Sequence, residues 1–439
     1  MAGVAQRHRL WIRTVEVAGV LVMLTGVLFV LQSSFKPQVT CPTGPTAAKT
    51  QSKLWFNDGV WWGILFDGSS EEYHIYRYDG AKGGWNDTGT LIDGRNTSRA
   101  DALWAGPHLY VVSAGTQASL KKDSARFLRY TYDPSTGRYT LDRGFPVTIT
   151  EGGMEAITLA KAANGGLWAT YTQDVQDGEL RSVYVTHTRG SDAGSWVEPF
   201  VPPLRGTTVT TDDVSSVVAF GDKIGLMWGN QYDESGKSGY YFAEHEDGEP
   251  DDAWRPDNPV MGPSTVNDHI NLKVDSEGRI FAATKNRRDR INRDLDAPYG
   301  VLWVRDPDGT WTSHVFSKVG DFYTRSLVLL DQSRNDLYIF ATSPTCTGGK
   351  IYYKRTDLND ISFEDGGGTL FMQGSGGLKI GDVTSTKQNL SGDMKNLSAG
   401  MNPIVVASST TGRYYYNLLD PSSGEKLFPK GAPIDNAGF

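Results

Sequence analysis

The sequence predicts an all-β fold, a seven-bladed β-propeller of four-stranded antiparallel blades, preceded by an N-terminal transmembrane or signal-anchor helix. Three observations carry this prediction. Runs rich in β-branched and aromatic residues recur about every fifty to sixty residues: VWWGILF, LYVVSAG, LWATYTQ, IGLMWGN, IFAATKN, LYIFATS and PIVVASS. Each follows a shorter run and a tight turn such as NDG, GDK or DSEG, the residues a hairpin needs. Ahead of them all, one nearly uninterrupted apolar stretch follows a basic start.

At the N-terminus, Arg7, Arg9 and Arg13 precede apolar residues from Val17 to Leu31. That stretch is a little short of the roughly 20 residues a spanning helix wants, and Trp11, Ile12 and Val15 extend it. The expectation is an uncleaved anchor over residues 1–35, its basic end cytoplasmic and the rest exported to the cell surface, or secreted if the segment is cut. Residues 36–52 read as a linker and residues 53–439 as the propeller.

Within the propeller, a third run follows in most copies, as in YHIYRYDG, GVLWVRDPDG and GRYYYNLLD. After it come a turn and an aromatic: Trp85, Tyr139, Trp196, Trp254, Trp311, Phe363 and Phe428. One such unit cannot bury both its faces alone, so the units pack radially. Most of the mid-strand Trp and Tyr residues are expected to pack blade against blade. The first run of the seventh copy reads as KNLSAGMN.

The formal net charge of −8 disfavours a nucleic-acid partner, since no Lys/Arg-rich run occurs outside the N-terminus and the KNRRDRINR loop. That loop overhangs the ligand face, where Arg287, Arg288 or Arg290 either reach the pocket or stay solvated. Cys41 and Cys346 lie in Pro/Gly/Thr-rich loops beyond the anchor, so a disulfide between them is expected in an oxidising compartment. No cysteine cluster, EF-hand spacing or phosphate loop is present, and no metal or cofactor is expected.

The strongest functional signal is positional. Each first strand lines the central channel, and its start opens on the face where propellers usually bind ligands. One ionisable residue stands at that start in every copy: Lys53, Asp101, Glu155, Asp213, His269, Arg325 and Lys395. Arg99, Asp212, Asp268 and Tyr323 adjoin them. The position recurs while the residue type changes, which a purely architectural position does not require; the competing reading is a solvated channel mouth.

The turns RGSDAGSW and RDPDGTW resemble the Asp-box of bacterial neuraminidase-repeat, sialidase-like propellers, with Asp192 to Trp196 and Asp308 to Trp311 closer than in the full motif. Asp-boxes are structural turns away from the active face. The histidine at a strand start followed by DSEGR is also similar to seven-bladed lyases of that type. The resemblance implies a glycan ligand. Two chemistries stay open. Hydrolysis would use Glu155 with Asp213 or Asp101 as flanking carboxylates, or Tyr323 as a nucleophile beside Arg325. Elimination would use His269 or Tyr323 to remove the proton alpha to a uronate carboxylate that Arg325 or a lysine neutralises. Lys53, Arg99, Asp101, Asp268, Arg325 and Lys395 would hold the substrate. The expected protein is thus a monomeric, membrane-anchored glycosidase or lyase, with a non-catalytic glycan- or protein-binding platform as the alternative.

Overall fold

Antiparallel pairing between successive strands sets the architecture. The computed structural model describes residues 44–46, 49–82, 84–116, 123–174, 180–232, 236–290, 294–344, 349–390, 402–409, 411–420, 423–435 and 437. They form seven sheets, each with four consecutive strands in order, a seven-bladed propeller. Four blades carry a further short strand paired to the third. The second strands, from Val60–Asp67 to Ile404–Ser409, begin within a residue of the recurring runs.

The inner strands are Leu54–Asn57, Arg99–Ala105, Ile157–Lys161, Ser215–Phe220, Ile270–Val274, Thr324–Asp331 and Ile380–Thr384. The last corrects the reading of KNLSAGMN as the seventh inner strand. IGDVT fills that place, and a long connection from residue 385 to 403 leads to the second strand. Lys395 falls in this connection, outside the described residues. Cys41, Cys346 and the whole apolar N-terminal run also lie outside them. Among the described residues no helix is long and apolar enough to cross a membrane.

In six blades the aromatic after the third strand latches its blade to the preceding one, while Phe428 meets Tyr416 of its own blade. Tyr139 meets Trp55 at 5.7 Å between ring centroids, Trp196 meets Phe127 at 5.0 Å and Trp254 meets Trp168 at 6.0 Å. Trp311 then meets Phe242 at 5.4 Å, Phe363 meets Phe316 at 6.1 Å, and Trp85 meets Tyr416 of blade seven at 6.2 Å. Tilted and edge-on pairs dominate, the arrangement favoured by ring quadrupoles.

Near the axis a second device operates. Each inner strand is the edge of its sheet, and a polar side chain of one blade accepts a backbone N–H of the next. Thr158 accepts from Val217 at 3.1 Å, Asn271 from Val328 at 3.0 Å and Thr384 from Lys53 at 3.2 Å. Asp101 accepts from Leu159 and Ser52, both at 2.8 Å.

Blades seven and one close the ring without exchanging a strand. The backbone N–H groups of Lys53 and Leu54 both donate to the Ser385 carbonyl. Upstream, a strap enters the channel: Gly44 N–H donates to Asp382, Thr46 bonds Ser408, and Lys49, Thr50, Gln51 and Ser52 are buried. The expected linker of residues 36–52 is therefore partly built into the propeller. At the opposite end Lys387 reaches inward to Asp101 and the Leu159 carbonyl, and Asn389 donates to Val274 O at 2.8 Å.

Candidate functional site at the channel mouth

Strands alternate in direction, so the inner-strand starts and the second-to-third turns share one face. There the strap delivers a residue the sequence reading passed over. The Lys49 ammonium lies 2.7 Å from Glu155, 3.1 Å from Asp212 and against Asp268, with its side chain 6% exposed. Burial opposes the charge, but Asp268, Glu155 and Asp212 outweigh it and hold Lys49 above the ordinary lysine range. Nothing in AAKTQSK sets this lysine apart from a solvated linker.

Beside it sits the Asp268–His269 pair. His269 Nδ1 faces two acceptors, Asp268 Oδ1 at 2.7 Å and Asn267 Oδ1 at 2.8 Å, so Nδ1 carries the proton. Nε2 is left as the basic nitrogen, its hydrogen-bond partner among the described residues being the Thr324 hydroxyl at 3.4 Å. Burial, against the pull of Asp268, pushes the imidazole down to about 4, so it is neutral at neutral pH. Burial would raise the Asp268 carboxyl, but His269 and Lys49 hold it well below the usual range. Because the imidazole is neutral above that pH, Lys49 is the lasting counter-charge.

Two arginines complete the mouth. Arg99 donates to the Glu155 carbonyl at 2.9 Å and lies 3.8 Å from its carboxylate. Arg325 adopts φ +53° and pairs with Asp382, whose own φ is +56°. Both are backbone conformations that side chains rarely take and that concentrate at functional sites. Burial draws the Arg325 guanidinium below its ordinary range, opposed by Asp268. Asp382 went unread because its strand was assigned elsewhere.

The remaining expected residues have other positions. Asp101 is fully buried at the channel waist as the clamp described above; burial raises its carboxyl, opposed by Lys387. Lys53 also lies at the waist, donating to Ala100 O at 3.0 Å, and burial pushes its ammonium down to about 7. Asp213 is fully buried and accepts four hydrogen bonds, from the backbone and side chains of Thr210 and Gln231. Burial still pushes it up to about 6. Tyr323 packs in the apolar core between blades five and six and donates to Gly367 O at 2.6 Å. In the arginine loop, Arg287 is half-buried and Arg288 exposed. The Asp-box-like turns are Asx turns: Asp192 accepts from Gly194 N–H at 3.0 Å and Asp308 from Thr310 N–H at 2.8 Å.

Among the described residues one group has the geometry to hold a metal ion. Asp67, His74 and Asp87 of blade one place a ligand atom each within 4.8 Å of one another. His74 Nδ1 already lies 2.9 Å from Asp87 and Nε2 3.4 Å from Glu72.

No protein-family model and no curated protein sequence matches this chain. Solved structures do resemble it. A periplasmic gluconolactonase of Pseudomonas aeruginosa superposes with a TM-score of 0.51 at 15% identity, over 85% of this chain and 98% of that one. An ulvan lyase, described as a new family of polysaccharide lyase, gives 0.51 at 10% identity over 87% and 96%. At these identities the likeness shows the shared propeller fold.

Proposed function

We propose that this chain is an exported, membrane-anchored, monomeric propeller that processes a carbohydrate at its channel mouth, and that its chemistry is uronate elimination. The observation that carries this reading is the Asp268–His269 dyad. It is a neutral imidazole with Nδ1–H held by carboxylate and amide and with Nε2 open toward Thr324. A base needs that state. Nε2 would take the proton alpha to the uronate carboxylate, and the C–H electrons would form the ring double bond. The adjacent glycosidic C–O bond would break, its oxygen leaving with the proton returned by the imidazolium. Arg99 and Arg325 are the groups suited to neutralise the carboxylate, for which Arg325 must exchange Asp382 for substrate. Hydrolysis has less support. Asp213 is tied down by its own blade, Asp101 by its neighbours, and Tyr323 by the core. The fold likeness to an ulvan lyase and a gluconolactonase adds that such propellers host sugar chemistry, which by itself assigns nothing here.

One observation favours a non-catalytic platform instead: Lys49 already fills the acidic side of the mouth. The two readings separate in one assay. The full-length chain in mild detergent is incubated with polyuronates and neutral glycans, recording unsaturated-uronate absorbance and new reducing ends. Elimination predicts absorbance that His269→Ala lowers by at least about 10²-fold. Binding with neither product leaves the platform reading, and new reducing ends without absorbance mean hydrolysis.

A further inference from the structure

The same face carries a second concavity away from the axis. A cleft of about 880 Å³ opens between blades six and seven. One wall is the start of the third strand of blade six, Lys350 to Tyr352; another is the crossover of residues 374–379 into blade seven. Lys430 and Tyr415 of blade seven close it.

Its charge is the opposite of the molecule's. Acidic residues outnumber basic ones by 51 to 43 along the chain. Among the described residues that line this cleft are Lys350, Lys379 and Lys430, and no Asp or Glu. All three lysines are exposed. The crossover keeps its wall open. Gly376 and Gly377 have φ of +60° and +79°, and a Cβ on either would meet nothing within 4 Å. Glycine is there for the backbone path, and the path leaves the space empty. Ser375 Oγ and N–H hold the Tyr415 hydroxyl at 2.9 and 3.3 Å, fixing one side, while half-buried Tyr352 offers a ring.

We propose that this cleft is a binding subsite for a segment of anionic polysaccharide bearing carboxylate or sulfate groups. Lysine ammoniums are hydrated point charges suited to such groups, and tyrosine rings stack on sugar faces. A nucleic acid fits less well, because its dense charge would meet an acidic molecule beyond three lysines. The subsite rests on the proposed function only in that a chain seated there would lie on the face of the channel mouth. Binding itself needs no turnover.

The test therefore uses a catalytically silent background. Full-length His269→Ala protein in mild detergent is run by affinity electrophoresis through gels containing polygalacturonate, dextran sulfate, neutral dextran or single-stranded DNA. Retardation by one or both acidic polysaccharides and not by neutral dextran is expected. Adding Lys350→Gln, Lys379→Gln and Lys430→Gln together should weaken it about tenfold, with unfolding temperature unchanged. If the triple variant unfolds, single Lys350→Gln and Lys430→Gln variants at exposed positions should each weaken binding about twofold. Unchanged retardation in these variants overturns the subsite, as does equal retardation by neutral dextran. DNA retarded as strongly as the polysaccharides overturns the glycan assignment. Loss of turnover in His269→Ala with retained retardation separates this inference from the elimination reading.

Discussion

His269 shows how one buried side chain couples chemistry to stability. Its ordinary value near 6.5 describes the unfolded chain, while burial lowers the folded value to about 4. Between those values the unfolded state binds more protons, so stability rises with pH up to about 6.5 and is lost as pH falls toward 4. Going from pH 7.5 to 4.5, this group should cost about 2.5 kcal/mol. Urea unfolding at both pH values should show that loss in the native chain and a loss smaller by about that amount in His269→Gln; equal losses would remove the buried neutral imidazole. The sequence already showed an acid beside a histidine at a strand start. It did not show Lys49, because a lysine in a polar linker has no periodicity to betray its burial. Nor did it show that Asp213 and Asp101 are consumed by hydrogen bonds, since a strand-start carboxylate reads alike whether it faces a ligand or a neighbouring backbone.

At the scale of the blade, the aromatic latches carry the packing. Trp254 is 8% exposed and lies 6.0 Å from Trp168 and 5.1 Å from His245. Trp254→Ala should cost about 3–5 kcal/mol in chemical denaturation. Phe363→Ala, at a half-buried latch, should cost less; equal costs would mean that the latches do not work through burial. These aromatics were legible because they recur after each third run, and strand alternation with Asp/Gly turns made the blades legible with them. The seventh inner strand was not. IGDVT is five residues long, and nineteen residues rather than a tight turn separate it from the second strand, so neither spacing nor turn chemistry marked it.

For the whole molecule, the joint between blades seven and one is the weak point of any closed ring. Here the strap of residues 44–52 reinforces it, through Gly44 with Asp382, Thr46 with Ser408 and Lys49 with the mouth acids. Replacing residues 44–52 with a Gly/Ser segment should lower the unfolding temperature by roughly 5–10 °C. A synthetic peptide of the native strap sequence, added in trans, should recover part of it; an unchanged midpoint would show the strap to be ornament. The number of blades could be read from the repeat, but not this closure, because the strap and its partners share no pattern, only proximity.

The distance along the chain between those partners has a consequence for synthesis. Gly44 and Asp382 are 338 residues apart, and Thr46 and Ser408 are 362 apart. The strap is made before any blade, yet Asp382 and Ser408 emerge only with the last one, long after the acids that hold Lys49. A nascent chain of six blades thus has Lys49 but no Asp382 to anchor the start of its strap or to pair with Arg325. The Arg325–Asp382 side of the mouth is completed only when the final blade arrives, so closure of the ring and completion of the mouth are one event.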